Sequence, residues 1–415
     1  MPILAHPKDC TGCAACMNSC SHSAIQMNAD EEGFLMPTVD MNKCVECKLC
    51  EKSCPVITAV SYDYSYVPKA YAAWNEIDRC VSSSGGAFSS FARYTLKKGG
   101  VVFGAAFDDT LHCRHIEATS IEELDVLRGS KYVQSEIGLT YKRVKELLKQ
   151  DKYVLFCGTP CQVIGLKSYL RKDYDKLFTL DLTCHGVPSD AVFQAYKKKI
   201  STRFAGVVNG FEFRRRDGWG FAPSISLDGK FRSLFGVNAL YMSAFDKSAL
   251  FRQCCYHCHY ANTDRVGDCS LADFWGLGRY GKPFKHNVLK GVSLVLINNS
   301  KGESVFNNLD DTFKEERSLE EALIENHNLK MPSSKNPNRD LIIKAFLNPN
   351  KSLSDIDKEF NLVDQSLKSM VKDMASKWGI FDIVNVSVGL SILIFTAFKS
   401  ALLPFTLIGF VTTGF

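Results

Sequence analysis

Cys10-Thr-Gly-Cys13-Ala-Ala-Cys16-Met-Asn-Ser-Cys20 and Cys44-Val-Glu-Cys47-Lys-Leu-Cys50-Glu-Lys-Ser-Cys54-Pro55 stand at the start of a 415-residue chain. Each is a C-x2-C-x2-C loop with a further cysteine after three intervening residues, the spacing by which bacterial ferredoxins hold a pair of 4Fe-4S clusters. A loop this tight wraps three thiolates around one face of a cubane. Its last cysteine points away from that face and reaches the neighbouring cluster. The expected ligand sets are therefore Cys10, Cys13, Cys16 and Cys54 for one cluster and Cys44, Cys47, Cys50 and Cys20 for the other. Pro55 closes the second motif, whereas Ser21 stands where the first would have its proline. Ala24–Met27 and Phe34–Met36, joined by Asp30-Glu-Glu-Gly33, read as a hairpin that packs apolar side chains under the clusters. A structural zinc site has no need of the third and fourth cysteines, and a disulfide framework suits a secreted chain. Residues 1–8 lack the basic and apolar runs of a signal peptide.

The rest of the chain is too long to be a ferredoxin and leaves room for a sizeable core. With 46% hydrophobic and 23% charged residues it has a folded composition, and a net charge of +5 over this length makes no case for nucleic acid. Seventeen cysteines, eight of them in the two motifs, point to a reducing, cytoplasmic setting. The reading is of a dicluster ferredoxin domain (1–56), a linker (57–69), an α/β or α+β domain (70–330), a helical extension (331–378) and an apolar tail (379–415).

Within the main domain, strand, polar loop and helix recur. Ala70–Trp74 is a strand, followed by Ser82-Ser83-Ser84-Gly85-Gly86 and a helix over Phe88–Lys98; Val101–Phe107 is a buried strand. Ile121–Leu127 is a short helix leading into Arg128-Gly129-Ser130-Lys131-Tyr132-Val133-Gln134-Ser135, and Glu136–Gln150 is a helix. Tyr153–Phe156 runs as a strand into Gly158-Thr159-Pro160-Cys161-Gln162 and a helix over Val163–Leu170. Leu177–Leu182 runs into Thr183-Cys184-His185-Gly186-Val187-Pro188-Ser189 and a helix from Asp190 to Ile200. Ligands of such folds gather at the carboxyl ends of strands. The serine–glycine loop and the Arg128–Ser135 loop each have the make-up of an anion cradle, and equally that of a plain capped turn.

Cys161 and Cys184, at two strand ends, combine with Cys255 and Cys258 of Cys254-Cys255-Tyr-His-Cys258 as a third set of four thiolates. It would hold a 4Fe-4S cluster, or zinc. Cys254 and Cys269 are substitutes for a misassigned ligand, and Cys80, Cys113 and Cys157 read as small buried residues. Arg214-Arg215-Arg216, at the exit of a strand from Phe211, is either a solvated basic face or a contact for an anionic substrate. Val292–Ile297 is a further strand, and Glu303–Leu309, Leu319–Glu325, Leu341–Leu347 and Leu353–Met374 are helices. Residues 380–398 and 400–415 are apolar, interrupted by Lys399 and Pro404. They read as a membrane anchor, an interfacial hairpin or a helical pair packed on protein.

The ferredoxin loops and six further motifs in order, Ser82–Gly86, Arg128–Ser135, Gly158–Gln162, Cys184–Ser189, Cys255–Cys258 and Asp273-Phe-Trp275-Gly276, together resemble the coenzyme F-420 hydrogenase/dehydrogenase β-subunit family. The likeness covers about residues 1 to 330 and is closest to the bacterial branch with a fused dicluster ferredoxin. It implies FAD, held by Ser83, Ser84, Gly85 and Gly86, by Arg128, Ser130, Lys131, Tyr132, Gln134 and Ser135, and by Gly158, Thr159 and Pro160. It implies an iron–sulfur cluster beside that flavin. The methanogen proteins differ around the Cys184 motif, so the likeness does not carry coenzyme F-420 across as substrate. Bacterial relatives are associated with polysaccharide biosynthesis. The resulting expectation is a cytoplasmic flavin and iron–sulfur oxidoreductase, with ferredoxin or another redox carrier on one side and an organic substrate on the other. His185 is the candidate proton donor. The competing expectations are an electron-transfer subunit that feeds a catalytic partner, a coenzyme F-420-dependent dehydrogenase, and a zinc-stabilised interaction protein.

Overall fold

Apolar strands β4 (Val101–Phe107), β6 (Val154–Gly158), β7 (Leu177–Leu182) and β11 (Cys269–Asp273) lie parallel, because helical or looped crossovers return the chain to the same edge each time. The computed structural model describes residues 2–58, 65–214 and 219–363. β5 (Cys113–Ala118) pairs antiparallel with β4, while β12 (Ser293–Ile297), β3 (Lys69–Asn75) and β13 (Thr312–Arg317) extend the other edge antiparallel. The order is β13-β3-β12-β11-β7-β6-β4-β5. The registers Gly158↔Asp181 and Cys269↔Leu180 bring the ends of β6, β7 and β11 together.

Both faces of this sheet are covered, as a parallel sheet requires. The helix Ala87–Lys97 sets Phe91 and Ala92 against Leu155, Leu180 and Val295. The helices Thr140–Lys149 and Pro160–Leu170 set Tyr141, Val144, Val163 and Leu166 against Phe103 and Phe156 on the other face. Phe91, Tyr141 and Phe156 are wholly buried, each contributing about 1.5–3 kcal/mol by leaving water. A second core joins the three-stranded sheet β8 (Val208–Glu212), β9 (Ser224–Leu227) and β10 (Lys230–Ser233) to the helices Asp190–Phe204, Leu240–Asp246, Arg339–Leu347 and Leu353–Phe360. Residues beyond 331 are thus part of the body as far as Val363, not a separate extension.

The N-terminal hairpin pairs β1 (Ile25–Ala29) with β2 (Leu35–Val39), antiparallel from Ile25↔Val39 to Ala29↔Leu35. Cys13, Ala14 and Ala15 join the core under helices Thr140–Lys149 and Pro160–Leu170, and Phe34 joins that of the second sheet. The helix expected over 353–374 ends at Phe360, where Asn361 turns left-handed (φ 47°); the rest of that expected helix from residue 364 on, and the apolar tail, lie outside the described residues. Among the described residues no helix is long and apolar enough to cross a membrane.

Candidate functional site

The two N-terminal cysteine loops have the same backbone. Gly12 and Ala14 in the first, and Glu46 and Lys48 in the second, all have φ between 52° and 68°, a left-handed turn that curls each loop inward. Cys10, Cys13, Cys16 and Cys54 then face one cavity with Met27 and Pro37 of the hairpin, and Cys20, Cys44, Cys47 and Cys50 face another with Ala24 and Ile25. These are the two sets that the crossover spacing requires. Burial pushes the Cys13 thiol up to about 11. Burial, then the neighbouring Cys13, Cys10 and Cys54, raises Cys16 well above its usual value. Four such thiols in one ring become thiolates only around a positive group, and an iron cluster supplies that. Among the described residues no three His, Cys, Asp or Glu side chains gather in a way that would hold a single ion.

The two loops differ in surroundings. A Cβ on Gly12 would lie 2.8 Å from Arg252 Nη1 and 2.9 Å from Gln134 Nε2, so the first loop needs glycine where the exposed second loop carries Glu46. Arg252, 1% exposed, donates to Cys10 O (2.6 Å), Leu35 O (3.0 Å) and Gln134 Oε1 (3.1 Å). Arg339 ties Glu32 to Phe251 O, Asn18 donates to Gly138 O (2.8 Å), and Ser189 Oγ donates to Glu32 O (2.6 Å). A Cβ on Gly165 would meet Cys13 Sγ at 3.0 Å, so the first cysteine set lies directly on the helix Pro160–Leu170.

That helix begins one turn earlier than its apolar pattern suggests. Pro160 occupies its first position and Thr159 and Gln162 form a reciprocal cap, so Cys161 stands in the first helical turn and not at the strand end expected for it. Cys184 follows β7, Cys255 sits in the 3-10 turn Gln253–His257, and Cys258 ends that turn. All four line one cavity of about 420 Å³, which Thr11, Pro55 and Val56 of the N-terminal unit also border. Burial first, then Cys184, Cys258 and Cys255, raises Cys161 strongly, although a contact with Thr159 Oγ1 at 3.1 Å eases it. Asp181 and Arg265, 0% and 1% exposed at their side chains, pair at 2.5 Å below this set. Arg265 Nη1 also donates to Tyr260 O (2.8 Å), which fixes the Cys258 loop beside the end of β7.

The remaining cysteines separate clearly. Cys254 borders the same cavity, whereas Cys269 is buried in β11 opposite Leu180 and Ile297 and cannot substitute as a ligand. Cys113 and Cys157 are buried thiols pushed up to about 12 by desolvation. Cys80, expected to be buried, is exposed.

A second cavity, of about 300 Å³, adjoins the first at the strand ends, and Cys161, Cys184 and His185 border both. Ser83, Ser84, Gly86, Arg128, Ser130, Lys131, Tyr132, Gln134, Ser135, Gly158 and Thr159 line it, so three loops far apart in sequence converge as expected. Gly85 does not line it: a Cβ there would lie 2.4 Å from Ala73 O and 2.5 Å from Ser293 N, and the residue serves close packing on β3 and β12. Pro160 faces the cysteine cavity instead. Arg128 is partly committed, donating to Asp78 (2.7 Å) and Ser89 Oγ (3.1 Å). Lys131 Nζ donates to Val126 O (2.9 Å) and Arg128 O (2.7 Å).

Arg214 is neither a solvated cation nor a free anion contact. It is 3% exposed and pairs with Asp273, which also accepts from Trp219 Nε1 at 2.7 Å. Trp219 stacks on Trp275 (4.8 Å, 5°), and Phe221 and Trp275 form the aromatic rim of the cavity with Tyr132. Arg215 and Arg216 lie outside the described residues. His185 faces the junction of the two cavities, and burial lowers its pKa.

One wall residue gave no sequence signal. His115 on β5 is held by Ser135 Oγ (2.8 Å) and Cys157 O (3.0 Å) and stacks on Phe156. Burial lowers it from 6.5 to about 4. The unfolded chain therefore takes up a proton near pH 6.5 that the folded chain refuses until about pH 4, so stability falls as pH falls through this window. Between pH 7 and pH 5 the parent is expected to lose about 2 kcal/mol more than His115→Gln, read from denaturant midpoints. Equal losses would show that the ring is not buried neutral.

Thiol rings of this spacing, in a chain whose strand ends open on a further four-cysteine cavity, define an iron–sulfur electron-transfer protein. Residues 9–57 match the 4Fe-4S dicluster domain. Residues 151–321 match the family described as the C terminus of the coenzyme F420 hydrogenase/dehydrogenase beta subunit. No protein of curated function matches the chain. Among solved structures, a chain of the xenon-derivatised F420-reducing [NiFe] hydrogenase complex from Methanosarcina barkeri is similar at 18% identity, with a TM-score of 0.43. The match covers 72% of this chain and 94% of that one. The chain thus carries a 4Fe-4S dicluster domain followed by a segment similar to that beta-subunit family.

Proposed function

We propose that this protein is an FAD- and iron–sulfur-dependent oxidoreductase that moves electrons between an external one-electron carrier and an organic substrate in the 300 Å³ cavity. The observation that carries this reading is the shared wall. Cys161, Cys184 and His185 border both cavities, and the inner N-terminal cysteine set adjoins from the far side. Cys161, Cys184, Cys255 and Cys258 would hold the third cluster. The serine–glycine loop, the Arg128–Ser135 loop and Gly158–Thr159 would hold the flavin, which when bound joins one-electron to two-electron chemistry. The cavity is large enough for the reactive part of such a group. In this reading the aromatic rim excludes water, the Arg214–Asp273 pair fixes that rim, and His185 stands next to the reacting centre.

A second reading, delivery of electrons to a catalytic partner, is favoured by the neutralisation of Arg214, which leaves that guanidinium no free charge for an anionic substrate. The link to polysaccharide biosynthesis rests on the resemblance alone. Anaerobic purification with iron, sulfide, zinc and flavin analysis tests the proposal. About twelve irons and one FAD per chain are expected. About eight irons with one zinc would make the third set structural, and absence of flavin would overturn the enzyme reading.

A further inference from the structure

The outer cysteine set, Cys20, Cys44, Cys47 and Cys50, is the one furthest from the main sheet, and Cys47 is exposed. Around it Ile3, Val45 and Met41 are 69%, 58% and 45% exposed, a small apolar spot at the surface. Next to this spot, Arg171 donates to Leu49 O (3.2 Å) and Ser53 Oγ (2.9 Å). Arg171 caps the helix Pro160–Leu170, while Leu49 and Ser53 belong to the short helix bearing Cys50. That contact sets the cations Lys145, Lys149, Arg171 and Lys172 beside the short helix whose ends carry Lys48 and Lys52. Burial, then Lys149, Arg171 and Lys172, lowers the pKa of Lys145, so these charges stand within Coulombic reach of one another.

The patch is not neutralised from within. Among the described residues Lys145, Lys149, Arg171 and Lys172 form no ion pair with a carboxylate, and nearby acids are engaged: Glu146 faces Arg143 (3.8 Å), Asp151 faces Lys176 (2.5 Å), Glu51 accepts from Ile3 N (2.9 Å), and Glu46 feels the charge of Lys48. Asp173 and Asp175 are the exposed carboxylates of the adjoining loop. The Lys145 ammonium lies 4.9 Å from the Tyr169 ring and that of Lys172 lies 4.4 Å from Tyr174, so aromatic faces hold both in place without cancelling their charge. An uncompensated basic patch bordering an apolar spot over a surface redox centre has two physical effects. The charges steer an acidic partner, and the apolar spot lets the two centres approach closely.

We propose that this face docks a small acidic one-electron carrier protein, which passes its electron to the cluster held by Cys20, Cys44, Cys47 and Cys50. The proposal rests on the reading that these thiols hold a 4Fe-4S cluster. One electron leaves the carrier's reduced centre and one is gained by the outer cluster, with no bond made or broken. Arg171 holds two elements together, so the test leaves it in place and changes Lys145, Lys149 and Lys172 to glutamate in the full chain. The readout is the second-order rate at which a reduced, acidic bacterial ferredoxin bleaches the visible absorbance of the protein, followed anaerobically against ionic strength.

The expected result is a loss of about tenfold or more at low salt, closing towards the parent rate near ~0.5 M salt, where screening removes steering. A Lys→Arg triple is expected to keep the parent rate. Iron content and bleaching by dithionite, a small reductant with no need of the patch, should match in all three proteins. A parent with no iron, or one that dithionite does not bleach, would overturn the redox reading itself. A glutamate triple with full iron and the parent rate at every salt concentration would overturn the docking proposal alone. Flotation with phosphatidylglycerol vesicles that the triple abolishes, together with an unchanged carrier rate, would assign the patch to an anionic membrane and overturn it too.

Discussion

Cys184→Ser is expected to lower the iron content from about twelve to about eight per chain, with the two N-terminal clusters retained. Cys184 stands at the end of β7, facing Cys161, Cys255 and Cys258 across a cavity separate from those of the N-terminal sets. A serine hydroxyl is a far weaker ligand than a thiolate, and the other three cysteines would lose their cluster. If the proposed FAD occupies the second cavity, it has other residues to hold it and should remain near one per chain. Carrier-driven turnover should be abolished, because the route to that cavity is cut. Metal analysis, the low-temperature spectrum of the dithionite-reduced protein and flavin extraction together check this. Retention of all twelve irons would remove Cys184 from the ligand set.

The second large effect is expected at Asp181. The carboxylate is wholly buried and accepts from Arg265 Nη2 (2.5 Å), Val266 N (3.2 Å) and Gly267 N (2.7 Å). Asp181→Leu would leave the Arg265 guanidinium buried without its partner, a loss of about 3–5 kcal/mol. The damage should not be confined to stability. Arg265 positions the loop through Tyr260 and Asn262, so the third thiol set should also bind iron less tightly. The Asp181→Leu, Arg265→Met pair removes both charges and should regain much of the stability. Denaturant midpoints with iron retention are the measurement, and a single variant as stable as the parent would refute the account.

What could be read from sequence follows the range of the interactions involved. Cysteine loops are local, and their spacing alone dictates the two N-terminal rings. The strands 101–107 and 177–182 were legible because they are short apolar runs with punctuated ends. The cradle loops were legible as loops, but that they would meet was implied only by the family resemblance, since each loop's local sequence equally suits a plain turn. β5 went unread because Arg114, Ile116 and Glu117 face outwards on an edge strand, leaving no apolar run. β10 was hidden for the same reason, since all four of its residues are exposed. The Thr159-Pro160-Cys161-Gln162 cap was a readable helix start, and it brings Cys161 into the first turn of a helix that begins one turn earlier than the apolar pattern implied. Arg214 was ambiguous because its partner, Asp273, is 59 residues away and meets it only across the folded sheet.

The buried Arg252 bridge and the glycine contacts at 12, 33 and 165 fix the first fifty residues to the body at several points. A tethered shuttle must swing between loading and delivery, and its throughput slows in a thick medium. Here the unit is soldered in place, so internal relay should be indifferent to viscosity. Only the arrival and departure of outside molecules would be left to diffusion.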